Sequence, residues 1–284
     1  MSESNSKVAV ITGCSSGIGL EAALELARNN YRVYATMRNL SKKSKLEEIV
    51  NSENLEIKYL ELNVNDDDSV KNAVTTIFEK EQRIDVLINN AGFGLIGRME
   101  DISIKETKEL FETIFFGTIR MIQNVLPIMK KQSSGKIINV GSLAGQIGFG
   151  FFSSYVSAKF ALEGLTYSLR QELQNSGITI SIIEPGAVNT NFYENMKIAQ
   201  HALDNPKQKE FVLMLKKQTD KILSISFNPK DVAKKILEIL NQQESLPSYV
   251  FGKDAERLMI DKKRLEPLEF EKVINNFFNE IMKI

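Results

Sequence analysis

Short apolar runs rich in branched residues alternate along this chain with longer segments of helical period, and that alternation limits the fold more than any other feature. The runs fall at 8–11, 31–35, 55–60, 84–88, 136–140, 178–183 and 248–251. The first six are too short for a helix and lie near Gly, Pro, Asn or Asp turn residues. Helical patterns fill the gaps, near 17–29, 42–51, 66–81, 105–131, 153–175 and 229–242. Each parallel strand pair needs a covering crossover, so the pattern predicts an α/β fold, a doubly wound parallel sheet of about seven strands. No repeat and no Pro/Ser-rich linker divides the 284 residues, and we expect one domain over 1–284. Segment 190–228 breaks the rhythm, opening on Asn191, Phe192 and Tyr193. A long insertion there is either a substrate lid or an ordinary surface subdomain. A helical extension is expected over about 253–284.

Composition narrows the function classes. With 43% hydrophobic and 25% charged residues the chain reads as globular. Lys plus Arg balance Asp plus Glu at 36 each without a basic block, which disfavours a nucleic-acid partner. The lone cysteine, Cys14, cannot make an internal disulfide and reads as a small filler in a turn. Residues 1–13 show no basic-then-apolar leader, and no apolar run reaches the ~18 residues of a membrane span, so a cytoplasmic protein without a transmembrane segment is expected. His201 has no metal-ligand companions and no metal site is expected.

The first strand runs into Thr12-Gly13-Cys14-Ser15-Ser16-Gly17-Ile18-Gly19, after which Leu20, Ala23, Leu24 and Ala27 begin a helix. Glycines at a strand-to-helix turn let backbone approach a pyrophosphate, whose charge rests on the helix N-terminus. The spacing, Gly-x3-Gly-x-Gly, differs from the common dinucleotide fingerprint. At the end of the second strand, Ala35-Thr36-Met37-Arg38 carries no carboxylate. Arg38 offers a planar donor fork for a phosphate, and Ser15 and Ser16 add hydroxyl donors.

These segments, in this order, resemble the short-chain dehydrogenase/reductase family. The resemblance rests on the glycine turn, Asn89-Asn90-Ala91-Gly92, Ser142, Tyr155-x3-Lys159 and Pro185-Gly186-x3-Thr190, spanning 8 to about 190, with 231–233 and 249–252 similar to the family's last helix and strand. TGCSSGIGL (12–20), VYATMRN (33–39) and SAKFALEGL (157–165) look closest to the 17β-hydroxysteroid and retinol dehydrogenase branch. The resemblance implies a Rossmann-type sheet and a nicotinamide cofactor. An acid would mark NAD at the end of the second strand; Arg38 there points to NADP(H). It further implies cofactor contacts from Gly13, Ser15, Ser16, Gly17, Ile18, Gly19, Asn90, Ala91, Gly92, Pro185, Val188 and Thr190, together with Tyr155 and Lys159. Where Asn63-Val64 stands the family usually has an aspartate on the adenine amino group, and the Asn63 amide oxygen can accept the same bond.

Tyr-x3-Lys occurs three times, at Tyr155/Lys159, Tyr193/Lys197 and Tyr249/Lys253. Only Tyr155 opens a strong helix 13 residues after a serine that closes a strand, and on that helix Lys159 shares its face. A free phenol, with pKa near ~10, is a poor acid at neutral pH, and an adjacent ammonium stabilises its phenolate. By resemblance Tyr155 is the acid/base, Ser142 polarises the substrate oxygen, and Lys159 binds ribose and tunes Tyr155. One departure stands out. The family's asparagine three residues before Gly117 is replaced by Ile114, which follows a helical stripe with Phe111, Phe115 and Ile122 and also reads as core.

Phe149 lies between Ser142 and Tyr155, and Phe192 and Tyr193 open the insertion; these aromatics read either as the pocket of a small lipophilic carbonyl or alcohol or as core packing. Interconversion of such a pair, steroid-, retinoid- or aldehyde-like, is therefore expected. The long helices near 105–131 and 153–175 imply, by resemblance, a homodimer or homotetramer. The rivals are a catalytically weak NADP-binding regulatory protein, motivated by Ile114, and a ketoacyl reductase.

Overall fold

A computed structural model describes residues 6–217 and 226–282. Seven strands form one sheet, and every pairing in it is parallel. They are β1 (Val8–Thr12), β2 (Arg32–Met37), β3 (Ile57–Glu61), β4 (Val86–Asn89), β6 (Gly135–Val140), β7 (Ile178–Pro185) and β9 (Ser248–Phe251), laid out as β3-β2-β1-β4-β6-β7-β9. The chain starts mid-sheet, winds to one edge, then returns and winds to the other. The sheet is covered on both faces, which is why β1 and β4 are buried at every position and read as unbroken apolar runs.

The helices match the periodic segments: α1 (Gly17–Arg28), α2 (Ser44–Ser52), α3 (Asp67–Glu81), α4 (Ile104–Phe111), α5 (Gly117–Gln132) and α6 (Ser153–Glu172). Their starts have local causes. The Asp66 side chain accepts from Ser69 N at the mouth of α3, and Ser103 and Glu106 form a reciprocal capping box on α4. The helix near 105–131 carries one feature beyond the pattern, a single π-helical turn, Glu112–Phe116, between α4 and α5. Hydrophobic periodicity continues through a π-turn, so the pattern does not announce it.

The insertion at 190–228 holds β8 (Lys197–Ile198), α7 (Gln200–Asp204) and α8 (Pro206–Lys217); 218–225 lies outside the described residues. β8 pairs with β5 (Leu95–Ile96) in a two-stranded sheet that local pattern did not mark. After α9 (Pro229–Asn241) and β9, two more helices follow, α10 (Lys253–Arg264) and α11 (Pro267–Met282). Among the described residues no helix is long and apolar enough to cross a membrane.

Two apolar layers flank the sheet. One joins α1 and α9 to β1 and β2, the other α3, α5 and the far end of α6 to the opposite face. A buried polar ladder also crosses the middle. Asn89 of β4 donates to Asn139 Oδ1 of β6 at 2.9 Å, and Asn139 donates to Thr166 Oγ1 of α6 at 2.9 Å. Unmade bonds are costly in such surroundings, so the ladder fixes how α6 sits on the sheet.

Candidate active site

The carboxyl ends of β1, β4, β6 and β7 open into one cavity of about 620 Å³, the place where doubly wound sheets take ligands. At its first end the backbone turns through Gly13 (φ +74°) and Gly17 (φ +61°), conformations that disfavour a Cβ. Thr12 Oγ1 accepts from the Asn90 and Ala91 amides (3.0 and 3.1 Å), while Asn90 Nδ2 donates to the Thr12 and Gly13 carbonyls (2.9 and 3.2 Å). The two loops are thereby tied into one wall. Gly19 sits beneath that wall and does not line the cavity; a Cβ on it would stand 2.4 Å from Asn90 Nδ2. The N-terminus of α1 faces the cavity with no capping bond from the Ser16 side chain and no acid in its first turn. Its positive end is left open to an anion, which fits a diphosphate.

Ser15, Ser16, Gly17 and Ile18 line this end with Arg38, and Lys42 joins them from a short 3-10 turn after β2. Lys42 was not singled out in the sequence, although it follows Arg38 by four residues. Val64, Ala91 and Gly92 also line the cavity. Asn63 does not, because its Oδ1 accepts from Asn65 N at 3.2 Å and serves its own turn.

At the second end Ser142 closes β6 and its Oγ accepts from Ala144 N at 3.1 Å. Tyr155 and Lys159 lie on the first turns of α6, both buried and both lining the cavity. Ser142 lies close enough to the Tyr155 phenol to act on its acidity, and Lys159 Nζ lies 5.8 Å from the phenol ring centre. That ammonium donates to the Val140 carbonyl at 2.8 Å. Burial pushes Tyr155 up to about 12, partly offset by Ser142, and it pulls Lys159 down to about 8, opposed by Glu163. Desolvation thus outweighs the acidifying effect expected of the lysine.

The other Tyr/Lys pairs go different ways. Tyr249 packs in the core away from the cavity, accepting from Leu246 N at 2.7 Å. Tyr193 and Lys197 do line the cavity. Phe192 stands between the two tyrosines, 5.6 Å ring to ring from Tyr155 and 5.6 Å from Tyr193. Lys197 is turned to Glu109 at 3.1 Å and to the Phe93 ring.

Phe149, Phe192 and Tyr193 all reach the cavity, as do Pro185, Val188 and Thr190 of the loop leaving β7. Local pattern marked neither Asp254 nor Phe277. Both line the cavity from α10 and α11, and the Asp254 carboxylate accepts from Ala187 N at 2.9 Å, pinning that loop. Ile114 is 1% exposed, borders the cavity and lies inside the π-turn, where its carbonyl accepts from Thr118 Oγ1 at 2.8 Å. It is therefore more than a core residue on a helical stripe.

Fold and cavity together define an oxidoreductase of the Rossmann type. A profile of the short chain dehydrogenase family matches residues 7–201, and the chain belongs to the short-chain dehydrogenase/reductase family. It is 37% identical over 244 residues to retinol dehydrogenase 8 of Bos taurus, covering 82% of this chain and 78% of that protein. It is 40% identical over 199 residues to estradiol 17-beta-dehydrogenase 1 of Rattus norvegicus, covering 68% of this chain and 57% of that one. A crystal structure of an alcohol dehydrogenase from Thermococcus sibiricus, complexed with 5-hydroxy-NADP, superposes with a TM-score of 0.71 at 26% identity, over 87% of this chain and 96% of that one.

Proposed function

We propose that the chain interconverts an alcohol and a carbonyl on a small lipophilic substrate, steroid-, retinoid- or aldehyde-like, with NADP(H) as cofactor and Tyr155 as acid/base. One observation carries this reading: Ser142, Tyr155 and Lys159 share a cavity with the open N-terminus of α1 and the cations Arg38 and Lys42. The anionic end of the cofactor would rest on Ser15 to Ile18, with Arg38 and Lys42 attracting the phosphate that separates NADP from NAD. Gly13, Asn90, Ala91 and Gly92 would flank it, Val64 would pack on the adenine side, and Pro185, Val188 and Thr190 would hold the nicotinamide side. When bound, the nicotinamide supplies or accepts the hydride.

The chain's own residues handle the proton. In reduction, Tyr155 gives its phenolic proton to the substrate oxygen while Ser142 polarises that oxygen; in oxidation Tyr155 takes the proton back. Lys159 stabilises the phenolate and reaches for ribose hydroxyls. Phe149, Phe192 and Tyr193 exclude water and favour an apolar substrate, which is also what retinol dehydrogenase 8 and estradiol 17-beta-dehydrogenase 1 carry in their names. The reading extends to a cytoplasmic homo-oligomer.

The test is a panel of steroids, retinoids, fatty aldehydes and quinones, followed by nicotinamide absorbance with each cofactor. Tyr155→Phe should lose about 10²–10⁴-fold or more in turnover while retaining NADP(H) affinity. Turnover within a few-fold of wild type would defeat the assignment. The regulatory alternative draws on Ile114, and it gains only if the wild type turns over nothing in the panel.

A further inference from the structure

One helical turn beyond Lys159, α6 presents Glu163, 6% exposed, and the penultimate residue of β7 is Glu184, 0% exposed. The two side chains act directly on each other, Glu184 disfavouring the charged form of Glu163. A Cβ on Gly145 would stand 3.1 Å from Glu163 Oε1, which places that carboxyl beneath the turn begun by Ser142. All four carboxyl oxygens are buried, and none makes a well-formed hydrogen bond. The roles proposed for Tyr155 and Lys159 give this cluster no task.

Two ionised carboxylates are acceptors only, so side by side they repel and leave every lone pair unsatisfied. One proton removes both problems. It makes one carboxyl a donor to the other and leaves a single negative charge to face the Lys159 ammonium. Burial, reinforced by Glu184, pushes Glu163 up to about 9, against the pull of Lys159 and the Gln146 amide. The groups around the pair are Lys159 from α6, Gln146 from the turn after β6, and Lys262 from α10, which donates to the Gln146 carbonyl at 2.5 Å.

We propose that Glu163 and Glu184 share one proton and act as a positioning pair whose single charge keeps the buried Lys159 ammonium charged, and through it keeps Tyr155 ready to exchange its proton. The proposal rests on the roles given above to Lys159 and Tyr155. The sign follows from electrostatics: burial favours neutral lysine, an adjacent negative charge favours ammonium, and removing that charge lets Lys159 lose its proton at lower pH.

The test uses the whole chain without substrate, so it is independent of turnover. Infrared spectra should show a protonated buried carboxyl at neutral pH in the wild type, lost as pH rises through about 9. Lysine ε-carbon NMR, with Lys159 assigned through Lys159→Arg, reads the ammonium. Glu163→Gln or Glu184→Gln alone leaves one carboxylate bonded to an amide donor, so the Lys159 midpoint should move by less than about half a pH unit. The double variant carries no charge there, and the midpoint should fall by about one unit or more, a tenfold loss in proton affinity. A purely structural role would not produce that split between single and double variants. Absence of the wild-type carboxyl band, or a double variant titrating like wild type, overturns the proposal while leaving the Tyr155 assignment standing. If the double variant does not fold, the wild-type band and the single variants decide.

Discussion

Arg38 and Ile114 show how far single residues can be read. Arg38 stands where a carboxylate would select NAD, and the fold delivers it to the cavity beside Ser15 and Ser16. Arg38→Asp should weaken NADP(H) by about 1–3 kcal/mol through a lost charge-assisted bond and added repulsion. The loss should fall at the lower end, because Lys42 still lines the same end. NAD(H) should change much less, and titration of both cofactors checks it; equal losses would mean that Arg38 does not read the phosphate. Residues whose chemistry is local were legible in this way, since strand ends and glycine turns carry their own spacing. Asp254, Phe277 and the Glu163–Glu184 pair were not. They matter through partners distant in sequence, and a lone acid or phenylalanine in a helical segment looks like any other.

Elements set the geometry that residues then use. The six helical segments of the sequence pattern cover all seven sheet-flanking helices, 105–131 spanning both α4 and α5, and all seven strands fall within a few residues of their apolar runs, because burial on both faces writes itself as such runs. It missed the π-turn and the β5–β8 pair, whose causes are tertiary. The π-turn bears on Ile114. The π-turn forms here with isoleucine at its centre, so its backbone geometry does not depend on the amide of the asparagine that the family usually carries at this position. Ile114→Asn should accordingly bring no gain in turnover and should lower the melting temperature, by inserting an amide at a site 1% exposed among apolar neighbours. Turnover and melting measured on the same two proteins check this. A large rate increase with full stability would show that an amide at this position serves the proton-coupled step.

At the scale of the whole molecule, the π-turn exposes Phe116 (46%), and α6 exposes Phe160 (44%) and Tyr167 (39%). Phe160 and Tyr167 are seven residues apart and share one side of α6. Exposed aromatics on packed helices are what an interface between copies would use, and they fit the homo-oligomer proposed above. Phe160→Glu should shift sedimentation toward monomer while leaving the far-ultraviolet spectrum intact; an unchanged assembly would place the interface elsewhere. The roof supplied by α10 and α11 also has a consequence in time. Those helices leave the ribosome after every strand, at about 5–20 residues per second, whereas the glycine turn and its cavity wall emerge first. A nascent chain that has emerged only as far as residue 252 has every strand of the sheet but lacks the Asp254 clamp on Ala187 and the Phe277 cover. The cavity is therefore closed by elements made after the sheet and the glycine turn, and until they dock the loop leaving β7 lacks its Asp254 anchor.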